Sequence, residues 1–167
     1  GLTNTNERHL RVTTLFTVLH VVAAILFLGP VTIAVSTFHK YALEADNGKD
    51  RAKGTASLLH RITRVYGIGS LLVPLLGAGV MISDWATYKS QYTIHTGILL
   101  SVIAWAILFF LILPLQTKCI HQLGLAEAGT DPVDLSGFHL TKAAKKLPMY
   151  GGIFSALWLI TAILMFF

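Results

Sequence analysis

Charged residues are absent from four long stretches of the chain, at positions 12–38, 65–83, 94–117 and 147–167. A helix needs roughly 17–25 residues to cross a bilayer, and more when it is tilted. Hydrophobic residues make up 54% of the chain and charged residues 13%, against about 25% charged residues in a soluble domain. The pattern therefore predicts an all-α, four-helix transmembrane bundle that forms one membrane domain over residues 1–167.

The distribution of positive charge predicts the orientation of the bundle. The net charge is +5, and the 13 Lys and Arg residues flank the predicted spans, which is their usual place in a membrane protein, so nucleic-acid binding is not expected. Ten of them lie in the first and third connections. Because basic loops stay in the cytoplasm, both termini are expected to face outward. Cys119, the only cysteine, would then lie on the reducing side as a free thiol.

The first connection contains the turn signal Asp46-Asn47-Gly48. The first helix is expected to continue beyond its apolar stretch to this turn, and Asp50 is expected to cap the second helix. These features predict a helical hairpin that projects into the cytoplasm.

Small residues recur at helical spacing and predict faces that pack closely. In the second helix, Gly67, Ser70, Pro74 and Gly77 fall on one face of a regular helix, and Pro74 is expected to kink it. Such stripes let two backbones approach, which is a main source of attraction between helices in lipid. We expect them to serve packing inside the bundle, an interface with a partner, or both. The other members are Gly97, Ser101 and Ala104 in the third helix, and Gly151, Gly152, Ser155 and Ala156 in the fourth.

His20 is the histidine that lies deep inside a predicted span, where an ionisable residue is costly and is a candidate functional residue. With His95 it could hold haem b. Counted from the ends of the spans, however, His20 lies about 12 Å into the membrane and His95 about 2 Å, whereas two axial ligands need levels within roughly 4 Å of each other. We expect His20 to be hydrogen-bonded inside the bundle to a helix carbonyl or to a Ser or Thr. Haem b, or a contact with a lipid, quinone or partner, is the alternative.

The sequence contains few patterns that indicate metal binding, ion transport or catalysis. His39, His60 and His121 fall near one level at the cytoplasmic boundary, but no carboxylate or thiolate is tied to them by spacing, so no metal site is predicted. No acidic residue lies inside a span, whereas ion-coupled transporters and proton pumps usually need an ionisable relay there. The chain has no phosphate-binding loop, nucleophile elbow or zinc-binding HExxH motif. The sequence favours a protein that is not an enzyme.

Two segments resemble a known group of proteins. Residues 19–30, LHVVAAILFLGP, resemble the first helix of a family of small bacterial integral-membrane proteins that share an LHVxxAIxxxG pattern, and residues 64–72, RVYGIGSLL, resemble its second helix. Small multi-helix proteins of this kind include accessory subunits of the actinobacterial cytochrome bcc–aa3 supercomplex, of the respiratory supercomplex association factor type. The resemblance implies the bacterial plasma membrane and a place beside a respiratory electron-transport complex.

Three hypotheses for function follow. The first is a non-catalytic accessory subunit that packs against a larger membrane complex and against lipids and needs no cofactor. The second is a small b-type cytochrome or quinone-linked electron carrier with His20 as one ligand. The third is a small transporter or metal-homeostasis protein.

Overall fold

Four long helices make up most of the protein in the computed structural model, which describes residues 2–88 and 91–164. All four are long and apolar enough to cross a bilayer, and the described residues form no β-strand. The predicted all-α, four-helix transmembrane bundle is confirmed, although the last predicted positions, 165–167, lie outside the described residues. The helices are α1 (Leu2–Asp46), α2 (Asp50–Ser83), α3 (Tyr92–Gln122) and α4 (Leu140–Leu164).

The first two helices form the hairpin that the turn signal predicts. α1 ends at Asp46, and Gly48 adopts a φ of 87°, a left-handed conformation that glycine takes without steric cost. Asp50 does not cap α2 as predicted. It is the first helical residue, after an N-cap Lys49 that makes no side-chain capping bond, and its carboxylate instead lies 3.6 Å from the ammonium of Lys53.

The core lies at one end of the bundle, called here the hairpin end because it carries the α1–α2 turn and the α3–α4 connection. Gly29–Asp46 of α1 is central there, since it packs on both Asp50–Gly69 of α2 and α4. Its buried residues lie three or four positions apart, with one adjacent pair at Ala34 and Val35, as one face of an α-helix requires. They are Val31, Ala34, Val35, Phe38, Ala42 and Ala45.

At the opposite end, called the terminal end, the helices separate into two pairs. Leu2–Ala23 of α1 packs along Leu72–Ser83 of α2, and Tyr92–Ile107 of α3 packs on α4. Within the described residues, these segments of the two pairs make at most isolated contacts with each other. Many of their apolar side chains are exposed, as expected of helices that lie in lipid.

Two helices widen just before a proline. α1 has a π-helical segment at Ala24–Leu28, which precedes Pro30, and α3 has one at Leu108–Ile112, which precedes Pro114. Proline has no N–H, and its ring clashes with the carbonyl four residues earlier in a regular α-helix. In both helices a local π-turn changes the backbone path just before the proline. Each helix then continues through the proline without a break.

α2 is interrupted one turn before Pro74, at Ser70 and Leu71. Proline cannot donate to the carbonyl of Ser70, and this carbonyl accepts a hydrogen bond of 3.0 Å from the N–H of Val73 instead. The irregularity that the sequence predicts at Pro74 is therefore present as a break in the helix.

The burial of Cys119 determines how the orientation can be measured, because an aqueous thiol reagent cannot reach this side chain. Ala128 in the α3–α4 connection and Asn4 near the N-terminus are exposed. If basic loops are cytoplasmic, Ala128→Cys resists a membrane-impermeant maleimide in intact cells and reacts after permeabilisation. Asn4→Cys reacts in both conditions. The parent chain is the control, and the opposite labelling pattern would reverse the predicted orientation.

Candidate functional site

His20 joins α1 to α2 at the terminal end. Its Nδ1 lies 2.7 Å from the carbonyl oxygen of Val73. Because a carbonyl only accepts, Nδ1 donates, and in the neutral ring Nε2 is then the acceptor nitrogen. This is the kind of hydrogen bond to a helix carbonyl that the sequence predicts for His20. His95, considered above as a second haem ligand, lies on a segment of α3 that belongs to the other helix pair.

Three glycines of α2 make room for rings of α1. A Cβ added at any of them would lie 2.5–3.0 Å from a ring carbon, so a side chain there would require the ring or the helix to shift. The pairs follow one antiparallel register: Phe16 with Gly79, His20 with Gly77, and Phe27 with Gly69. Of these glycines the sequence analysis singled out Gly77 alone. The aromatic spacing along α1, combined with the hairpin register, is the signal that identifies the other two.

Ser70 ties the break in α2 to α3. Its hydroxyl donates to the carbonyl oxygen of Gly67 at 2.5 Å and accepts from Nε1 of Trp105 at 2.9 Å. One turn away, a Cβ on Gly67 would lie 3.3 Å from the side chain of Leu108 on α3. Two members of the predicted stripe, Gly67 and Ser70, therefore face α3, whereas Gly77 faces α1.

Pro74 does not share that face. Its side chain is exposed, whereas Ser70 is fully buried. The prediction that all four residues share one face assumed a continuous helix. The break at Ser70 and Leu71 rotates the residues after it relative to those before it. Pro74 acts through the backbone instead of through packing.

α4 carries two faces of small residues, and one of them packs against another helix of the chain. A Cβ on Gly151 would lie 2.8 Å from the carbonyl oxygen of Val35 on α1, and the hydroxyl of Ser155 donates to the Gly151 carbonyl at 2.8 Å. Gly152 is exposed, and no described atom lies within 4 Å of the place where its Cβ would be. Ala156, one turn further on, is exposed too. The Gly151 face thus serves packing inside the bundle, whereas the Gly152 face is open.

The small residues predicted on α3 lie in the interior. Gly97 and Ala104 are buried and Ser101 is half-buried. All three belong to the segment of α3 that packs on α4. Their position fits packing within the second helix pair.

A cavity of about 270 Å³ opens at the hairpin end, between α2, α3 and the α3–α4 connection. Two of the three histidines predicted at one level, His60 and His121, line it, and His39 does not. Among the described residues, no group of three or more His, Cys, Asp and Glu side chains is placed to hold a metal ion. The cavity is lined mainly by polar side chains, which include His60, Arg61, Arg64, Thr117, His121 and Glu127.

Sequence reasoning missed this cavity, because it depends on how the connection folds back. Arg61 Nη2 lies 3.1 Å from Glu127 Oε1, and the hydroxyl of Thr130 donates to the carbonyl of Glu127. On the helix side, His60 Nδ1 lies 3.1 Å from Gln116 Oε1. No spacing in the sequence links residues 60–64 to residues 116–130.

Comparison with known proteins gives no match, since no family model, no curated protein and no solved structure matches the chain. The candidate sites are those that its own side chains form. They are the His20 contact with Val73, the open face of α4 at Gly152, and the cavity at the hairpin end.

The adjacent glycines of α4 form a matched pair for a stability test. Gly151→Ala places a methyl group against the Val35 carbonyl and is expected to cost about 1–3 kcal/mol, as overpacking does. Gly152→Ala meets nothing and is expected to be neutral or to stabilise by up to about 1 kcal/mol, since Ala is the better helix former. Unfolding in detergent measures both, and equal effects would contradict the assignment of the two faces.

His20→Ala removes the hydrogen bond from α1 to the Val73 carbonyl of α2 and is expected to cost about 0.5–1.5 kcal/mol. His139→Ala, at an exposed position, is the control and is expected to change little. We also expect the absorption spectrum of the purified protein to lack a Soret band. A band stoichiometric with the chain and lost in His20→Ala would identify His20 as a haem ligand instead.

Proposed function

We propose that the chain is a non-catalytic accessory subunit of a larger complex in the bacterial plasma membrane, which it stabilises or bridges. The observation that carries this proposal is the open face of α4. Met149, Gly152, Ile153 and Ala156 follow one another at helical spacing, and all four are exposed. The two small residues, Gly152 and Ala156, lie beside the larger apolar side chains of Met149 and Ile153.

A partner helix explains Gly152 better than lipid does. Glycine in a helix is less favourable than alanine by about 1 kcal/mol, and nothing within the described chain uses the space that its missing side chain leaves. Lipid tails fit around either residue. Close backbone approach is the gain that small residues give to helices in a bilayer, and Gly151 provides the same gain against α1 on the neighbouring face.

A respiratory electron-transport complex is the partner class that we favour, because of the family resemblance of residues 19–30 and 64–72. The two segments are neighbours in the bundle. The Phe27 and Tyr66 rings lie 6.0 Å apart, and Phe27 also occupies the space beside Gly69. The resemblance therefore covers a single packed unit of α1 and α2.

The geometry of His20 keeps a b-type cytochrome or quinone-linked electron carrier as the second candidate function. Histidines that bind metals usually donate their other ring N–H to a carbonyl or carboxylate, and His20 has this arrangement at Nδ1. The Soret measurement above tests the cytochrome form of this candidate.

Gly152→Leu tests the accessory-subunit proposal. The substitution fills the open face, so the tagged chain is expected to accumulate normally but to co-purify in mild detergent with about ten-fold less of its partner complex, a loss of about 1.4 kcal/mol. Ala78→Leu is the matched control, because Ala78 is a small, exposed residue of α2, and it is expected to keep the partner.

Two results would count against the proposal. Equal partner recovery with both variants would show that the open face of α4 is not the interface. A fall in the amount of the Gly152→Leu chain itself would show that this face is used within the chain.

A further inference from the structure

The cavity at the hairpin end collects arginine and histidine side chains from two helices. Arg61 and Arg64 come from α2, and His121 comes from α3. His60 adds a second imidazole at the cavity wall and is only 8% exposed. This cluster lies at the opposite end of the bundle from the His20 contact and apart from the open face of α4, so an inference from it does not depend on the proposed function.

The positive charge of the cavity is only partly compensated. Glu127 pairs with Arg61 at 3.1 Å. No described Asp or Glu forms an ion pair with Arg64. One permanent guanidinium charge therefore remains without a carboxylate partner at the cavity, beside two imidazoles.

A buried glutamine holds His60 in place. Gln116 is fully buried, and its Oε1 faces Nδ1 of His60 at 3.1 Å. This contact occupies Nδ1 of the ring. Gln116 Nε2 has no hydrogen-bond partner among the described residues, but Gln116 lies behind His60 and does not itself line the cavity.

We propose that this cavity binds a phosphate group. The guanidinium of Arg64 presents paired donors that match phosphate oxygens, while His121 supplies a further ring N–H donor from the facing helix. Ligand pockets commonly enclose roughly 300–1,000 Å³, so a cavity of about 270 Å³ suits a headgroup-sized anion better than a large cofactor.

The position of Arg64 indicates where the phosphate comes from. The charge-free stretch of α2 begins at the next residue, Val65, which is 53% exposed, and Ile68 is 58% exposed. A phospholipid whose phosphate sits in the cavity could lay its chains on this apolar surface. Basic pockets between helices at the cytoplasmic side are known to bind anionic lipid headgroups. A soluble phosphate presents the same chemistry, so the test must separate the two sources.

The test is a titration of the full-length protein in a phosphate-free buffer with detergent, followed by native mass spectrometry. The probes are phosphatidylglycerol, phosphatidylcholine and inorganic phosphate. The parent protein is expected to retain phosphatidylglycerol in preference to phosphatidylcholine, and Arg64→Gln is expected to weaken that binding about ten-fold or more. Arg51→Gln removes the same charge from an exposed position of α2 outside the cavity and is expected to have little effect.

His121→Gln is the second variant and approaches the cavity from α3, so the proposal stays testable if Arg64→Gln does not fold. Saturable binding of inorganic phosphate that Arg64→Gln or His121→Gln weakens would support the site with a soluble ligand. No saturable binding of either anionic probe would overturn the proposal. Equal losses in the cavity variants and Arg51→Gln would overturn it as well, because they would reflect general charge.

Discussion

Close approach of helix backbones is the constraint on which this bundle depends. Apolar side chains gain little by leaving lipid for a protein interior, so packing contacts must supply much of the attraction between helices. Glycine permits such an approach because it has no side chain. Gly151 brings α4 against the carbonyl of Val35, and Gly69, Gly77 and Gly79 let rings of α1 lie against α2. The Gly151 contact secures the core at the hairpin end, the Gly77 and Gly79 contacts secure one helix pair at the terminal end, and the Gly69 contact lies between the two ends.

Irregular backbone in the middle of the bundle comes with nearby polar side chains that satisfy it. Non-helical backbone at membrane depth is tolerated only where protein or water satisfies its polar groups. The Ser70 hydroxyl links the break in α2 to Trp105 of α3, and His20 donates to the Val73 carbonyl just beyond that break. Near the π-helical segment of α1, the Thr32 hydroxyl donates to the Leu28 carbonyl and accepts from the Trp158 indole.

This arrangement gives the two ends of the bundle different roles. The hairpin end joins all four helices around one core and carries the cavity lined by Arg61, Arg64 and His121, which suits the proposed recognition of a small anion. The terminal end divides into two pairs, and the open face of α4 runs toward it with its small residues uncovered. A chain built in this way offers a firm core and an uncovered helix face, which fits our proposal that it attaches to a larger complex.

Much of the fold could be predicted from the sequence. The absence of charged residues from the four spans and the turn at Gly48 are local properties that can be read directly from it. Burial of Gly67, Ser70 and Gly151 also followed from helical spacing. The exposure of Pro74 could not be predicted in this way, because the break in α2 changes which residues share a face of the helix. The contact of Phe16 with Gly79 could be predicted only with the register of the α1–α2 hairpin in hand. To predict the cavity, one would have to know how residues 123–139 fold over α2, since Arg61 and Glu127 are brought together only by that connection.

The mass of the native particle that contains the chain tests the central claim most directly. The tagged protein can be purified from its own membrane in mild detergent and measured as single particles, with its subunits identified by peptide sequencing. The accessory-subunit proposal predicts a particle many times heavier than one chain with its detergent belt, in which the chain is stoichiometric with other membrane subunits. Particles that contain this chain alone, as a monomer or as a homo-oligomer, would contradict it.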